Sequence, residues 1–355
     1  MKRLVCAIFI LLLLTGCAGL TQDSYVSVQP HKERFVQKSN DDAVEAEDYA
    51  GLRAAILGFV EKGQTEGVIR VTSYDGDVET DVAQAAYEVS KQEPIGAYAV
   101  DYMTHECVRV VSYYEIRIHT TFRRTREEME QVEFAASTIQ LENRVHQALE
   151  DCETGIVLRM DSYWEQDVAA MVDEYCMKNP ASVIEKPQIT VATYPDSGAA
   201  RILEIGFDCV LTPEERLSRK AATRESLDGA AEYIRYRQTE RDKITLLYTY
   251  LTGRFSYEPG QTETPLYAAL CEGVADPVGL TQAWQLICDK AGVKCHTVYG
   301  AKHGEPYCWN VVSADGVYRH LDLMESILNR GQLALLTDSE MTEYSWEPGN
   351  FPECR

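Results

Sequence analysis

The stretch that decides the fold of the C-terminal part runs from Tyr267 to Val293 and reads YAALCEGVADPVGLTQAWQLICDKAGV. Asp276 followed by Pro277 predicts a helix start, because aspartate is a good N-cap and proline suits the first helical position. Apolar spacing extends the predicted helix over residues 277–291. Around it we expect a helix at Ile244–Gly253, an aromatic turn at Phe255–Tyr257, and strands at Cys295–Ala301, Pro306–Ser313 and Tyr318–Leu323.

This order of elements, with several short motifs at fixed spacing, resembles the transglutaminase-like superfamily of papain-type thiol enzymes. The motifs are Leu251-x₃-Phe255-x-Tyr257, Tyr267-Ala268-Ala269-Leu270, Gly273, Gly279, Cys288-Asp289-Lys290-Ala291-Gly292-Val293, Trp309-Asn310-Val311-Val312 and Tyr318-x₂-Leu321-Asp322. The resemblance covers roughly residues 239–329. It implies a cysteine-proteinase-type domain with a cysteine at a helix N-terminus, a histidine on one strand and an aspartate on the next.

The catalytic positions of that family are substituted in this chain. Placed without a gap, the cysteine position falls on Pro277, the histidine position on Tyr307 and the aspartate position on Asp322. Proline offers no nucleophilic atom, and a cysteine enzyme needs a thiolate beside an imidazole. The resemblance therefore implies a degenerate triad, and we expect a domain that binds rather than catalyses.

A fallback nucleophile exists in Cys271, which would take the cysteine position if the register shifted by six residues. His320 and Asp322 lie two residues apart on a predicted strand, so they share a face and could line a residual polar cleft. Cys308 should face away from Tyr307, and Cys288 lies about 16 Å along the helix from Pro277. Neither thiol can replace the missing nucleophile.

The preceding part of the chain contains an internal duplication. Asp81-Val82-Ala83 matches Asp167-Val168-Ala169, and Thr125-x-Glu127-Glu128 matches Thr212-x-Glu214-Glu215. The first copy is predicted as a helix at Glu45–Lys62, a strand at Val68–Ser73, a helix at Asp77–Lys91, and strands at Gly96–Met103 and Cys107–Phe122. The second is predicted as a helix at Glu127–Asp151, a strand at Gly155–Asp161, a helix at Tyr163–Lys178, and strands at Gln188–Tyr194 and Ala200–Leu211. The predicted fold class is α+β, with α/β modules at 45–124 and 125–212, a helical connector at 213–238 and the transglutaminase-like domain at 239–355.

The N-terminus is typical of a bacterial lipoprotein. Lys2 and Arg3 precede an apolar run from Leu4 to Leu14, which is long enough for a secretion signal but too short to span a bilayer. Leu14-Thr15-Gly16-Cys17 resembles a lipobox, in which Cys17 receives the lipid. We therefore expect a signal peptide at 1–16, a lipidated tether at 17–44, and an extracytoplasmic location on the bacterial cell membrane.

The net charge and the cysteine content disfavour nucleic-acid binding and metal binding. The net charge of −22 disfavours nucleic acid, whose phosphates would be repelled. We expect no cofactor and no metal: His105-Glu106-Cys107 reads as a hairpin turn, and Cys295, His296, His303 and Cys308 lack the spacing of paired zinc ligands. Nine of the eleven cysteines remain after Cys6 and Cys17 are set aside, and in an exported chain they favour disulfides, with at least one left unpaired.

Three functions follow from these observations. The leading one is a surface-anchored lipoprotein whose degenerate domain binds a peptide, a cell-wall component or a partner protein. The alternative is an active thiol peptidase or transglutaminase that uses Cys271, and it requires an imidazole within about 4 Å of that thiol. The third is a purely structural lipoprotein, which predicts no polar pocket around Tyr307, His320 and Asp322.

Overall fold

The computed structural model describes residues 42–253, 262–274, 276–328 and 332–355. The first part is a small α/β module whose sheet has the order β1-β2-β4-β3. Its elements are β1 (Val44–Glu45), α1 (Tyr49–Glu61), β2 (Glu66–Val71), α2 (Val78–Lys91), α3 (Pro94–Ala99), β3 (Val100–Val110) and β4 (Tyr113–Phe122). Leu52 and Ile56 of α1 and Val82 of α2 are fully buried against Ile69 and Ile116 of the sheet.

The second part repeats this arrangement, with a sheet of order β5-β6-β8-β7. Its elements are α4 (Arg126–Glu130), β5 (Glu133–Phe134), α5 (Thr138–Glu150), β6 (Gly155–Met160), α6 (Val168–Lys178), β7 (Gln188–Tyr194) and β8 (Arg201–Asp208). The matched Thr-x-Glu-Glu motifs form capping boxes: Thr125 with Glu128 opens α4, and Thr212 with Glu215 opens the helix after β8. In each box the threonine side chain and the third helical residue satisfy one another's backbone N–H groups.

Three local predictions in these modules differ from the structure. Residues 96–99 form the end of helix α3 rather than the start of a strand, because Pro94 occupies the first helical turn. The predicted helix Glu127–Asp151 is interrupted between α4 and α5 by β5, and α5 begins with its own N-cap at Ser137. His105-Glu106-Cys107 lies within β3, and the hairpin turn falls at residues 111–112 instead.

The C-terminal part packs helices against one face of a third sheet. Its helices are α7 (Pro213–Arg235), α8 (Glu240–Thr252), α9 (Pro265–Tyr267), which continues as a π-helical turn over Ala268–Glu272, α10 (Pro277–Ala291) and α11 (Leu323–Leu328). The strands β9 (Cys295–Lys302), β10 (Glu305–Ala314), β11 (Val317–Leu321) and β12 (Tyr344–Ser345) form a sheet of order β11-β10-β9-β12. Trp284 of α10 is fully buried in the core between α7, α8 and the sheet.

One glycine sets how closely α10 approaches the segment before it. A Cβ atom on Gly279 would lie 2.2 Å from the carbonyl oxygen of Pro265, which is closer than any real contact. The N-terminus of α10 therefore sits directly against α9, and this contact fixes the position of Pro277.

Several predictions fall outside the described residues or remain predictions. The signal peptide, Cys17, most of the tether and the Phe255–Tyr257 turn lie outside the described residues, and the domain bounds stay predictions. All nine cysteines in the described part of the chain are free thiols, in contrast to the expected disulfides. Within that same part, no helix is both long and apolar enough to cross a bilayer.

Candidate functional site

Pro277, to which the resemblance assigns the cysteine position, lies at the N-terminus of α10. Oδ1 of Asp276 accepts hydrogen bonds from the backbone N–H groups of Val278 at 2.8 Å and Gly279 at 3.1 Å, and Pro277 is the first helical residue. The helix dipole that lowers a thiol pKa in a cysteine enzyme is met here by a carboxylate cap. This end of the helix holds no nucleophile.

Tyr307 and Asp322, to which the resemblance assigns the histidine and aspartate positions, contact each other. The hydroxyl of Tyr307, on β10, donates a hydrogen bond of 3.1 Å to Oδ1 of Asp322, which follows β11. The two residues to which the resemblance assigns the histidine and aspartate positions are therefore in contact, and the group that contacts the carboxylate is a phenol.

The Asp322 carboxylate is enclosed by further donors that the sequence did not indicate. Oδ2 accepts from the hydroxyl of Tyr344 at 2.7 Å and from Nζ of Lys302 at 3.2 Å, and Oδ1 accepts from the backbone N–H of Glu325 at 2.9 Å. Lys302 also forms an ion pair of 2.6 Å with Glu325. Asp322 is 4% exposed, so the four donors take the place of the water that would otherwise solvate it.

Burial and these partners keep both phenols protonated, and the partners of Lys302 keep its amine protonated against the effect of burial. Burial, followed by the charge of Asp322, raises the pKa of Tyr307 far above its usual value, and burial also raises the pKa of Tyr344. Burial alone would lower the pKa of Lys302, but its bonds to Glu325 and Tyr344 and the charge of Asp322 outweigh that effect and raise it. None of the three can act as a general base near neutral pH.

Pro277 and Tyr307 line one cavity of about 520 Å³. The other described residues around it are mostly apolar or aromatic, with two carboxylates: Thr262, Glu263, Pro265, Asp276, Val278, Tyr299, Gly300, Pro306 and Cys308. Asp322 is not among them, although Tyr307 donates a hydrogen bond to its carboxylate. The cavity is therefore lined by Tyr307, while the Asp322 carboxylate is hydrogen-bonded within the protein.

The fallback nucleophile lies elsewhere. Cys271 is exposed on the π-helical turn, and its thiol lies 3.4 Å from the hydroxyl of Ser226. No imidazole among the described residues hydrogen-bonds it. Cys308 and Cys288 are buried, and burial raises the pKa of the Cys308 thiol to about 11.

His320 takes part in a separate buried cluster. Its Nδ1 accepts a hydrogen bond from the indole N–H of Trp309 at 2.9 Å, and its Nε2 lies 2.8 Å from Oδ1 of Asp338. Burial lowers the pKa of His320, against the opposing effect of Asp338. Although His320 and Asp322 are two residues apart, they have different partners, and His320 does not line the cavity.

His320, Asp338 and Cys354 also form the one group in the described residues that could hold a metal ion, with ligand atoms within 4.8 Å of one another. The hydrogen bonds argue against that role. Because Trp309 donates to Nδ1, the neutral imidazole carries its proton on Nε2 and has no lone pair to offer there. Burial also raises the pKa of Cys354 to about 12, whereas a metal binds the thiolate. Cys295, His296, His303 and Cys308, considered from the sequence, form no such group.

Comparisons with known proteins give structural neighbours only. No family model and no curated protein matches the chain. Among solved structures, the chain is similar to a TGase at 11% identity and a TM-score of 0.26, with 54% of this chain and 58% of the other covered. It is also similar to a candidate protease from Parabacteroides distasonis, at 7% identity, a TM-score of 0.25 and coverage of 72% and 40%. A candidate cysteine protease from Cytophaga hutchinsonii matches at 10% identity, a TM-score of 0.26 and coverage of 45% and 70%.

The expected α+β fold class is confirmed by the helices and the three sheets of the chain itself. The chain spans 58% and 40% of the length of the first two neighbours.

Proposed function

We propose that this protein is a lipid-anchored, extracytoplasmic bacterial protein whose C-terminal transglutaminase-like domain binds a peptide, cell-wall or protein ligand without breaking or making an amide bond. The observation that carries the proposal is the cavity over Pro277 and Tyr307. A pocket is retained at the position where the resemblance places the active site, while proline and a fully engaged tyrosine occupy the cysteine and histidine positions.

The absence of chemistry follows from what a thiol enzyme requires. Amide attack needs a thiolate held next to a base, and that base must itself be oriented. In this cavity the helix N-terminus carries Pro277, the phenol of Tyr307 stays protonated, and Cys308 is a buried neutral thiol. The alternative enzyme that uses Cys271 would need an imidazole at a thiol whose hydrogen-bond partner is Ser226.

The residues that line the cavity over Pro277 and Tyr307 are suited to ligand binding. Small-molecule and peptide pockets of about 300–1,000 Å³ combine apolar and aromatic walls with a few polar groups, and this cavity has that composition. Val278 and Tyr299 are 39% and 47% exposed, so they present apolar surface that a ligand could cover.

The test exposes the purified protein to a muramidase digest of bacterial cell wall. Mass spectrometry identifies the fragments that the protein captures, and calorimetry measures their affinity. Val278→Trp should fill the cavity and reduce capture by at least about tenfold, since a ligand that loses its pocket loses most of its binding energy. Val317→Trp, at a similarly exposed valine on β11 outside the cavity, should bind as the wild type does.

Two outcomes would overturn the proposal. The first is equal capture by the wild type and Val278→Trp. The second is thiol-dependent amide cleavage or cross-linking that Cys271→Ala abolishes, which would establish the enzyme alternative instead.

A further inference from the structure

The cavity over Pro277 is one end of a longer groove. A second cavity of about 910 Å³ adjoins it and shares five lining residues with it, Thr262, Glu263, Pro265, Val278 and Tyr299. The far wall of this second cavity belongs to the second α/β module, through α6 and the segment after it. A ligand that entered at Tyr307 could therefore continue along the groove onto that module.

Exposed apolar side chains line both walls. Met177 at the end of α6 is 45% exposed, and Val278 and Tyr299 stand on the opposite wall with similar exposure. Val183 and Ile184 continue the second-module wall. Apolar surface collected along a concave path is typical of a binding groove, whereas apolar side chains scattered singly are ordinary.

The charges of the groove are unbalanced toward the acidic side. Its lysines are already neutralised: Lys178 pairs with Glu174, and Lys186 lies 2.9 Å from Asp173. Glu263 is exposed where the two cavities meet, and within the described residues no cation pairs with it. Asp276, at the Pro277 end, has a second carboxylate oxygen without a hydrogen-bond partner. The free charge of the groove is therefore negative, as is that of the whole chain.

We propose that this joint groove binds an extended peptide that carries a positively charged side chain, with the cation at Glu263 and apolar side chains against Val278, Tyr299 and Met177. The proposal rests on the proposed function, because it assigns a ligand class to the same cavity. It also gives the second module a role, as the wall that completes the binding site. An extended peptide suits two adjoining cavities, and a cation suits the exposed Glu263 carboxylate, which pairs with no cation among the described residues.

The experiment compares two unlabelled pentapeptides, Ac-Ala-Leu-Lys-Leu-Ala-NH₂ and the same peptide with norleucine at the lysine position, by calorimetry with the full chain. The wild type should bind the lysine peptide about threefold to fivefold more tightly, because the exposed Glu263 carboxylate attracts the lysine but not the norleucine. Glu263→Gln should remove that preference without affecting folding. Glu214→Gln, an equal change of charge at an exposed site on α7, should keep it.

The second-module wall is tested by Met177→Lys, which replaces apolar contact with a repelling charge. We expect Met177→Lys to weaken the binding of the lysine peptide by at least about tenfold. The control is Leu217→Lys, at a leucine of comparable exposure outside the groove, which should have little effect on binding. Thermal unfolding of each variant checks that it is folded.

The outcomes separate this inference from the proposed function. In one outcome, Val278→Trp blocks the binding of both peptides, but Glu263→Gln and Met177→Lys bind them as their control variants do. The cavity would then bind ligands, and the proposed ligand class would be wrong. If both peptides bind the wild type and Val278→Trp equally, the cavity is not the site, and both proposals fail.

Discussion

At the scale of single residues, the contact between Tyr307 and Asp322 can be inferred from the sequence, but the contacts of Lys302 and Tyr344 cannot. Tyr307 and Asp322 meet because β10 and β11 are a hairpin, and short local pairing can be inferred from spacing. Lys302 and Tyr344 could not be found this way. They become neighbours only through the pairing of β9 with the two-residue strand β12, across a long connection that leaves no periodic signal.

Lys302 is expected to be a strong contributor to stability. Its side chain is 13% exposed and faces Asp322, so Lys302→Met would leave a buried carboxylate without its cation. Breaking a buried ion pair from one side costs about 3–5 kcal/mol, and we expect a loss near the lower end, because Tyr307 and Tyr344 still donate to Asp322. Denaturant unfolding measures it. The control is Lys290→Met, whose partner Asp228 is exposed, with an expected loss below about 1 kcal/mol.

Because His320 is buried, we expect the free energy of unfolding to depend on pH. Because burial holds its pKa below that of an unfolded histidine, near 6.5, the unfolded chain takes up a proton more readily than the folded one. Its contribution to stability is complete above about pH 6.5 and is lost as the pH falls toward the folded pKa, by up to about 1.4 kcal/mol per pH unit. Trp309 opposes protonation too, since its N–H already points at Nδ1.

The measurement is the free energy of unfolding between pH 5 and pH 7.5. The difference between the wild type and His320→Gln should narrow as the pH falls, because the variant lacks the titrating group. A constant difference for His320→Gln over this range would contradict the assignment.

At the scale of elements, capping chemistry was the most informative part of the sequence. Asp276 with Pro277 and the two Thr-x-Glu-Glu motifs mark helix starts that the structure shows, because each satisfies backbone donors with atoms close in sequence. The prediction was wrong where apolar spacing was weighed above such signals. The predicted helix Glu127–Asp151 is interrupted by β5 and by the N-cap at Ser137, and the predicted strand Gly96–Met103 begins inside the helix that starts at Pro94.

Gly279 tests how α10 is held against α9. Gly279→Ala should destabilise the protein by at least about 2 kcal/mol, since the new methyl group would overlap the carbonyl of Pro265 and push the helix away. Gly229→Ala on α7 has open space around its Cβ and should stabilise the protein by about 0.5–1 kcal/mol, because alanine has the higher helix propensity. Thermal unfolding gives both values. Equal effects of the two substitutions would show that the close approach at Pro265 does not constrain α10.

At the scale of the whole molecule, the two α/β modules are joined by more than a linker. Tyr98 at the end of α3 packs edge-on against Tyr194 of β7, with ring centroids 5.5 Å apart, and Arg124 forms two hydrogen bonds with the Glu204 carboxylate of β8. Met129 and Ile202 complete this buried junction. The duplication could be recognised in the sequence from its repeated motifs. The junction could not, because its residues come from segments about eighty positions apart.

The proposed lipid anchor should decide where the whole protein resides. Two acyl chains on Cys17 would bury enough methylene groups for stable membrane attachment, at about 0.8 kcal/mol each. Without them, a chain of net charge −22 is repelled by anionic lipid. In a bacterial host, the wild type should therefore partition into the detergent phase of a cloud-point extraction and incorporate labelled fatty acid. Cys17→Ala should do neither, while Cys6→Ala, inside the proposed signal, should behave as the wild type does. Retention of Cys17→Ala in the detergent phase would mean that another feature of the chain holds it at the membrane.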